Sequence, residues 1–103
     1  MTSLQNDSGS NEQLDKLIEV LCQFDPETRR LVLIMLNVVT AELFCATQNF
    51  GKFNSAHEGY AVILEELDEM WDEIKKNNNL LTMQEAIQVA AMALRFMLDL
   101  RDK

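Results

Sequence analysis

Glycine and proline are scarce in this chain, three and one among 103 residues. A β-sandwich needs turn residues about every 8–12 positions, so the scarcity argues against that architecture. Cysteine is nearly absent as well. Cys22 and Cys45 have neither a second thiol nor a histidine at zinc-binding spacing, and both sit in apolar surroundings. They are expected to be buried, reduced thiols of a cytoplasmic protein. Basic clusters are missing: nothing exceeds the pairs Arg29-Arg30 and Lys75-Lys76, against a net charge of −8. Such a surface repels a nucleic-acid backbone, so no direct nucleic-acid partner is expected. Residues 1–11 are polar, lack the pattern of a leader peptide, and are expected to be a disordered tail. The most apolar stretch, Leu31–Ala46, is shorter than the roughly 20 residues a membrane span requires. Asn37, Thr40 and Glu42 also interrupt it, so a buried helix is expected and no membrane contact.

What remains is rich in helix signals. Apolar residues make up 48% of the chain, enough for one core, and residues 12–103 read as a single all-α domain. Leu14, Leu17, Ile18 and Leu21 recur at helical spacing and predict a helix over about 12–23. Asp25 followed by Pro26 marks the start of a second helix, about 26–48. Ser55-Ala56-His57-Glu58 has the form of a capping box and opens a third, about 56–76. Its apolar face would carry Tyr60, Ile63, Leu64, Leu67, Met70, Trp71 and Ile74. Thr82-Met83-Gln84-Glu85 reads as a second capping box, opening a fourth helix over about 83–100. Helices two and four are apolar nearly all round. A four-helix bundle of this size leaves such faces uncovered, so a homo-oligomer, dimer or tetramer, is expected to complete it.

The third helix carries an acidic run, Glu65, Glu66, Asp68, Glu69, Asp72 and Glu73. Like charges three and four residues apart destabilise a helix by a few tenths of a kcal/mol per pair. Either the face is fully solvated or a cation neutralises it. With antiparallel packing about a turn at Asn77–Leu81, Glu69 would lie level with Gln88 and Asp72 with Glu85. Glu66, Glu69, Glu85 and Gln88 would then offer hard oxygen ligands in two i, i+3 pairs. Hard oxygens suit Mg²⁺ or Mn²⁺. The alternatives stay open on spacing alone: a solvated acidic face, Glu85 closing its own capping box, and Gln88 as an ordinary amide.

Ser55-Ala56-His57-Glu58-Gly59-Tyr60-Ala61-Val62-Ile63-Leu64-Glu65-Glu66-Leu67-Asp68-Glu69-Met70-Trp71 resembles the motif helix of MazG-like proteins, which are all-α nucleoside triphosphate pyrophosphohydrolases. Their signature is Glu-Glu-x-x-Glu, then Glu-x-x-Asp on the next helix. Here it reads Glu65-Glu66-x-x-Glu69, then Glu85-Ala86-Ile87-Gln88. The resemblance covers about Phe44 to Leu100. It implies Mg²⁺-dependent cleavage of a nucleoside triphosphate to monophosphate and pyrophosphate. It further implies Glu66, Glu69 and Glu85 as metal ligands, with Glu65 a ligand or the residue that positions the attacking water. Lys75, Lys76 and Arg95 are phosphate-contact candidates from placement. Gln88 departs from the pattern, since an amide oxygen brings no charge; Asp72 is the residue expected to compensate. The other reading is a non-catalytic member of the same class, acting as a helical binding or regulatory module.

Overall fold

The computed structural model describes residues 8–103. It contains four α-helices and no strand among the described residues: α1 (Ser8–Leu21), α2 (Pro26–Asn49), α3 (Ala56–Lys75) and α4 (Asn79–Leu100). The all-α expectation holds. The chain divides into two compact units, Met1–Met35 and Leu36–Lys103, with the division falling inside α2. The polar-tail expectation falls largely on residues 1–7, outside the described residues; residues 8–11 belong to α1.

In the first unit, the α1–α2 connection is closed by short-range bonds. The Asp25 carboxylate accepts the Thr28 backbone N–H at 3.0 Å and the Thr28 hydroxyl at 2.7 Å, which caps α2. Pro26 takes the first helical position, where its missing N–H costs nothing. Arg29 turns back over the end of α1 and donates to the carbonyls of Leu21 and Phe24, each at 3.0 Å. The Leu21 carbonyl ends α1 and also accepts the Phe24 N–H at 3.2 Å, so the guanidinium ties the end of α1 to the connection. Arg30 pairs with Glu27 at 2.7 Å.

The second unit is organised by α3 and α4. Ser55 caps α3 by accepting the Glu58 N–H at 3.1 Å, as its sequence predicts. The reciprocal bond is shifted by one residue: Glu58 accepts from the Asn54 N–H at 2.9 Å. At the other end, Asn77 sits in the left-handed region at φ 58°. Its N–H reaches the Ile74 carbonyl at 2.9 Å, and the Asn78 N–H reaches the Glu73 carbonyl at 3.1 Å. This is a Schellman ending with Asn in the place glycine usually takes. Asn78 then caps α4 by accepting the Leu81 N–H at 3.0 Å. The expectation that α4 opens at Thr82 is therefore corrected: it begins one turn earlier, and Thr82 is buried within it.

The antiparallel pair α3 and α4 and the C-terminal part of α2 share a small core of Ala46, Ala91 and Met92, with Val39, Leu43, Val62 and Ile63 packed against it. Gly59 lies at the closest approach. A Cβ there would stand 2.5 Å from a Phe96 ring carbon and 3.3 Å from one of Phe53. Gly59→Ala would gain about 1 kcal/mol of helix propensity. It must also displace an aromatic ring, which costs about 1–3 kcal/mol. We expect net destabilisation, measured as a melting temperature lowered by about 5 °C or more.

Two burial expectations are corrected. α2 is not a buried helix: Ala46 is its one buried residue, and Leu33, Ile34, Met35 and Phe44 are 47–63% exposed. Its C-terminal part packs on the core through Val39, Leu43 and Ala46. By length and composition α2 meets the bare requirement for a membrane span, as many core helices do. The two cysteines are exposed rather than buried, because apolar neighbours in sequence do not place the opposing elements that would cover them. On α3, Ile63 and Met70 are half-buried while Tyr60, Leu67 and Trp71 face outward.

Candidate metal centre

Glu66 and Glu69 stand one helical turn apart on α3, and Glu85 stands opposite on α4. One carboxylate oxygen from each lies within 4.8 Å of the others, an arrangement capable of holding a metal ion. The Asn77–Asn78 ending positions Glu85. Glu85 has Glu69 and Glu73 as its acidic neighbours on α3, which brackets the expected level of Asp72; Asp72 itself is exposed and pairs with Lys75.

The cluster is electrostatically costly without a cation. Burial, then the charges of Glu69 and Glu85, push Glu66 up to about 7. Burial and the charge of Glu69 also raise Glu85, with a further contribution from Glu73. Glu85 Oε2 and Glu73 Oε1 are buried with no hydrogen-bond partner. Such an orphaned acceptor costs about 1–3 kcal/mol, and more when charged. A hard cation would satisfy the Glu85 oxygen and remove the repulsion.

This electrostatics sets a sign for the pH dependence of stability. Glu66 titrates at about 7 when folded, above its ordinary 4.5. Between those values the folded protein keeps a proton that the unfolded chain has released. The contribution is full below the lower value and is lost as pH rises through the upper one. Metal-free protein should therefore melt progressively lower from about pH 5 to about pH 8. In Glu66→Gln this fall should be smaller, and the variant should be the more stable of the two at the alkaline end. Melts in chelator across that range check it. Equal slopes in both proteins would mean that the Glu66 carboxylate is fully solvated.

The cluster adjoins a cavity of about 590 Å³, lined by α2, the α2–α3 connection, α3 and α4. Glu65, Glu66 and Gln88 line it, as do Glu42, Asn49, Lys52 and Met92. Gln88 thus faces the cavity beside the cluster. Three candidates stand elsewhere. Asp72 is exposed and pairs with Lys75 at 3.3 Å, and Lys76 lies 3.8 Å from Glu73. None of the three lines the cavity. Arg95 does line it, but is buried and internally engaged, with its Nε 3.4 Å from Asp99 and its Nη2 donating to the Gly51 carbonyl at 2.6 Å. Phe53 is buried beneath it and packs rather than offering a stacking face.

Sequence reasoning missed Glu73, Glu42 and Lys52. Glu73 carried a signal, since it lies i+4 from Glu69. Glu42 carried one too, as a lone charge in the apolar run. Lys52 carried none. Compared with protein-family models, curated proteins and solved structures, the chain gives no match.

Proposed function

We propose that this protein is a divalent-metal-dependent nucleoside triphosphate pyrophosphohydrolase of the MazG-like type, with Mg²⁺ as its ion and Mn²⁺ as a substitute. The observation that carries the reading is the three-glutamate cluster drawn from two helices beside a cavity of nucleotide size. The donor set fits the ion: all three ligands are hard oxygens, and Glu85 holds a buried oxygen with no other partner. The resemblance of Glu65-Glu66-x-x-Glu69 to the family motif supplies the substrate class.

Glu66, Glu69 and Glu85 would hold the ion. When bound, it would neutralise phosphate charge and polarise the α-phosphorus toward attack by water. Glu65 lines the cavity without belonging to the trio, and its carboxylate would orient that water and accept its proton. Water adds at the α-phosphorus, the bond to the bridging oxygen breaks, and pyrophosphate leaves with the electron pair. The amide of Gln88 contributes an oxygen without charge, which weakens the ion's hold. That feature favours the second reading, a binding or regulatory module that keeps the site without turnover.

The exposed apolar turns of α2 fit a homo-oligomer, in which a second copy covers them. Light scattering that returned a monomer at micromolar concentration would rule this out. The test of function is pyrophosphate release from a panel of canonical and modified triphosphates with Mg²⁺ or Mn²⁺. Release from at least one supports the enzyme. Binding without release supports the module.

A further inference from the structure

The proposed substrate is a polyanion, and the cavity that would receive it is lined by the carboxylates of Glu42, Glu58, Glu65 and Glu66, the last a member of the metal trio. An ion at the trio offsets charge at one end. Something else must meet the rest of the phosphate chain. Two cations line the cavity, Lys52 and Arg95. The Arg95 side chain is 8% exposed, with Asp99 at 3.4 Å. It also lies 4.0 Å from the Phe53 ring centre and donates to the Gly51 carbonyl. Its charge and its donors are committed to the protein. Lys52 is exposed and has no ion-pair partner among the described residues.

The placement of Lys52 is fixed by its neighbours. Gly51 is held by Arg95, and the Phe53 N–H donates to Asp99 at 3.1 Å, so both residues flanking Lys52 are tied to α4. A buried ion pair stabilises a fold little relative to well-packed apolar groups. Here its effect is to determine where the connection runs. Arg95 lies two turns beyond Gln88, about 10 Å along the axis. The lysine therefore stands on its long flexible stem in the wall that the α2–α3 connection gives the cavity, at the end where Glu58 is bonded to Asn54.

We propose that Lys52 is the phosphate-binding residue of this cavity and receives the phosphate chain of the triphosphate, whose charge an ion held by the trio would offset only in part; this rests on the pyrophosphohydrolase reading. The role does not require turnover, so binding tests it. Calorimetry with Mg²⁺ and inorganic tripolyphosphate, and separately with a Mg²⁺-nucleoside triphosphate, should give affinities about tenfold weaker for Lys52→Glu than for the native chain. Lys52→Arg should restore most of the loss. Lys75→Glu, outside the cavity, should bind as the native chain does. If Lys52→Glu weakens the nucleotide but not tripolyphosphate, the lysine serves the base or sugar and the proposal is overturned. Equal affinities throughout, or no tripolyphosphate binding by the native chain, overturn it too. Lys52-dependent binding without pyrophosphate release would sink the enzymatic reading and leave Lys52 as the phosphate contact.

Discussion

Exchange of Glu69 for Gln is expected to lower pyrophosphate release at least a hundredfold, on the order of what loss of a metal ligand or its support costs. Glu69 is the central member of the trio, since its charge acts on both Glu66 and Glu85. The amide keeps the size of the side chain and one oxygen, so the fold is not the variable. What disappears is a negative charge at the point where the ion would sit. The same exchange carries a second expectation of opposite sign. Without metal, Glu69 is a source of repulsion, and removing it should raise the melting temperature in chelator. Adding Mg²⁺ should then stabilise the native chain and leave Glu69→Gln unmoved, because only an ion bound to the folded state shifts its melting. A solvated acidic face gives neither effect at millimolar Mg²⁺. Thermal melts with and without Mg²⁺, beside the release assay, therefore separate metal binding from turnover. Loss of release with the Mg²⁺ shift retained would mean that Glu69 acts on the reaction without holding the ion.

The parts of this structure legible in sequence are those set by contacts three or four residues apart. Asp25 with Pro26, and Ser55 with Glu58, announced two helix starts, because a cap is a local bond. The pairing of Glu66 with Glu69 was legible for the same reason. The start of α4 was not. Asn77, Asn78, Asn79 and Thr82 are all competent caps, and the choice is made by the left-handed backbone at Asn77 together with the two bonds that close α3. Glu73 rather than Asp72 acts on Glu85 because of the face that α3 turns to α4, which spacing along α3 alone does not fix. The exposure of Cys45 and of most of α2 depends on which elements cover them, and spacing along one helix carries no such information. The role of Arg95 was hidden for a related reason. Its pairing with Asp99 is an i, i+4 contact, but Gly51 lies 44 residues away in sequence.

That long-range contact supports the largest stability effect we expect. Asp99→Ala should destabilise the protein by about 3–5 kcal/mol, the range seen when one member of a buried ion pair is removed. Two costs combine. The Asp99 side chain is 5% exposed and Arg95 8%, so the guanidinium would stay in a poorly solvated place without its counter-charge. The Phe53 N–H, which donates to Asp99 Oδ2 at 3.1 Å, would also lose its acceptor beside a ring that is 2% exposed. Asp99→Asn separates the two, since the amide oxygen still accepts from Phe53 but carries no charge; it should cost clearly less than Asp99→Ala. Replacing both partners, Arg95→Met with Asp99→Ala, removes the unpaired charge and should recover part of the loss. Such non-additivity is the mark of a direct pair. Chemical denaturation of the native chain, Arg95→Met, Asp99→Ala and the double variant measures the cycle. If the double variant falls by the sum of the single ones, Arg95 and Asp99 are energetically independent. If instead they are coupled, the α2–α3 connection is held to α4 by this pair, and the two single variants should also loosen the wall of the cavity that carries Lys52.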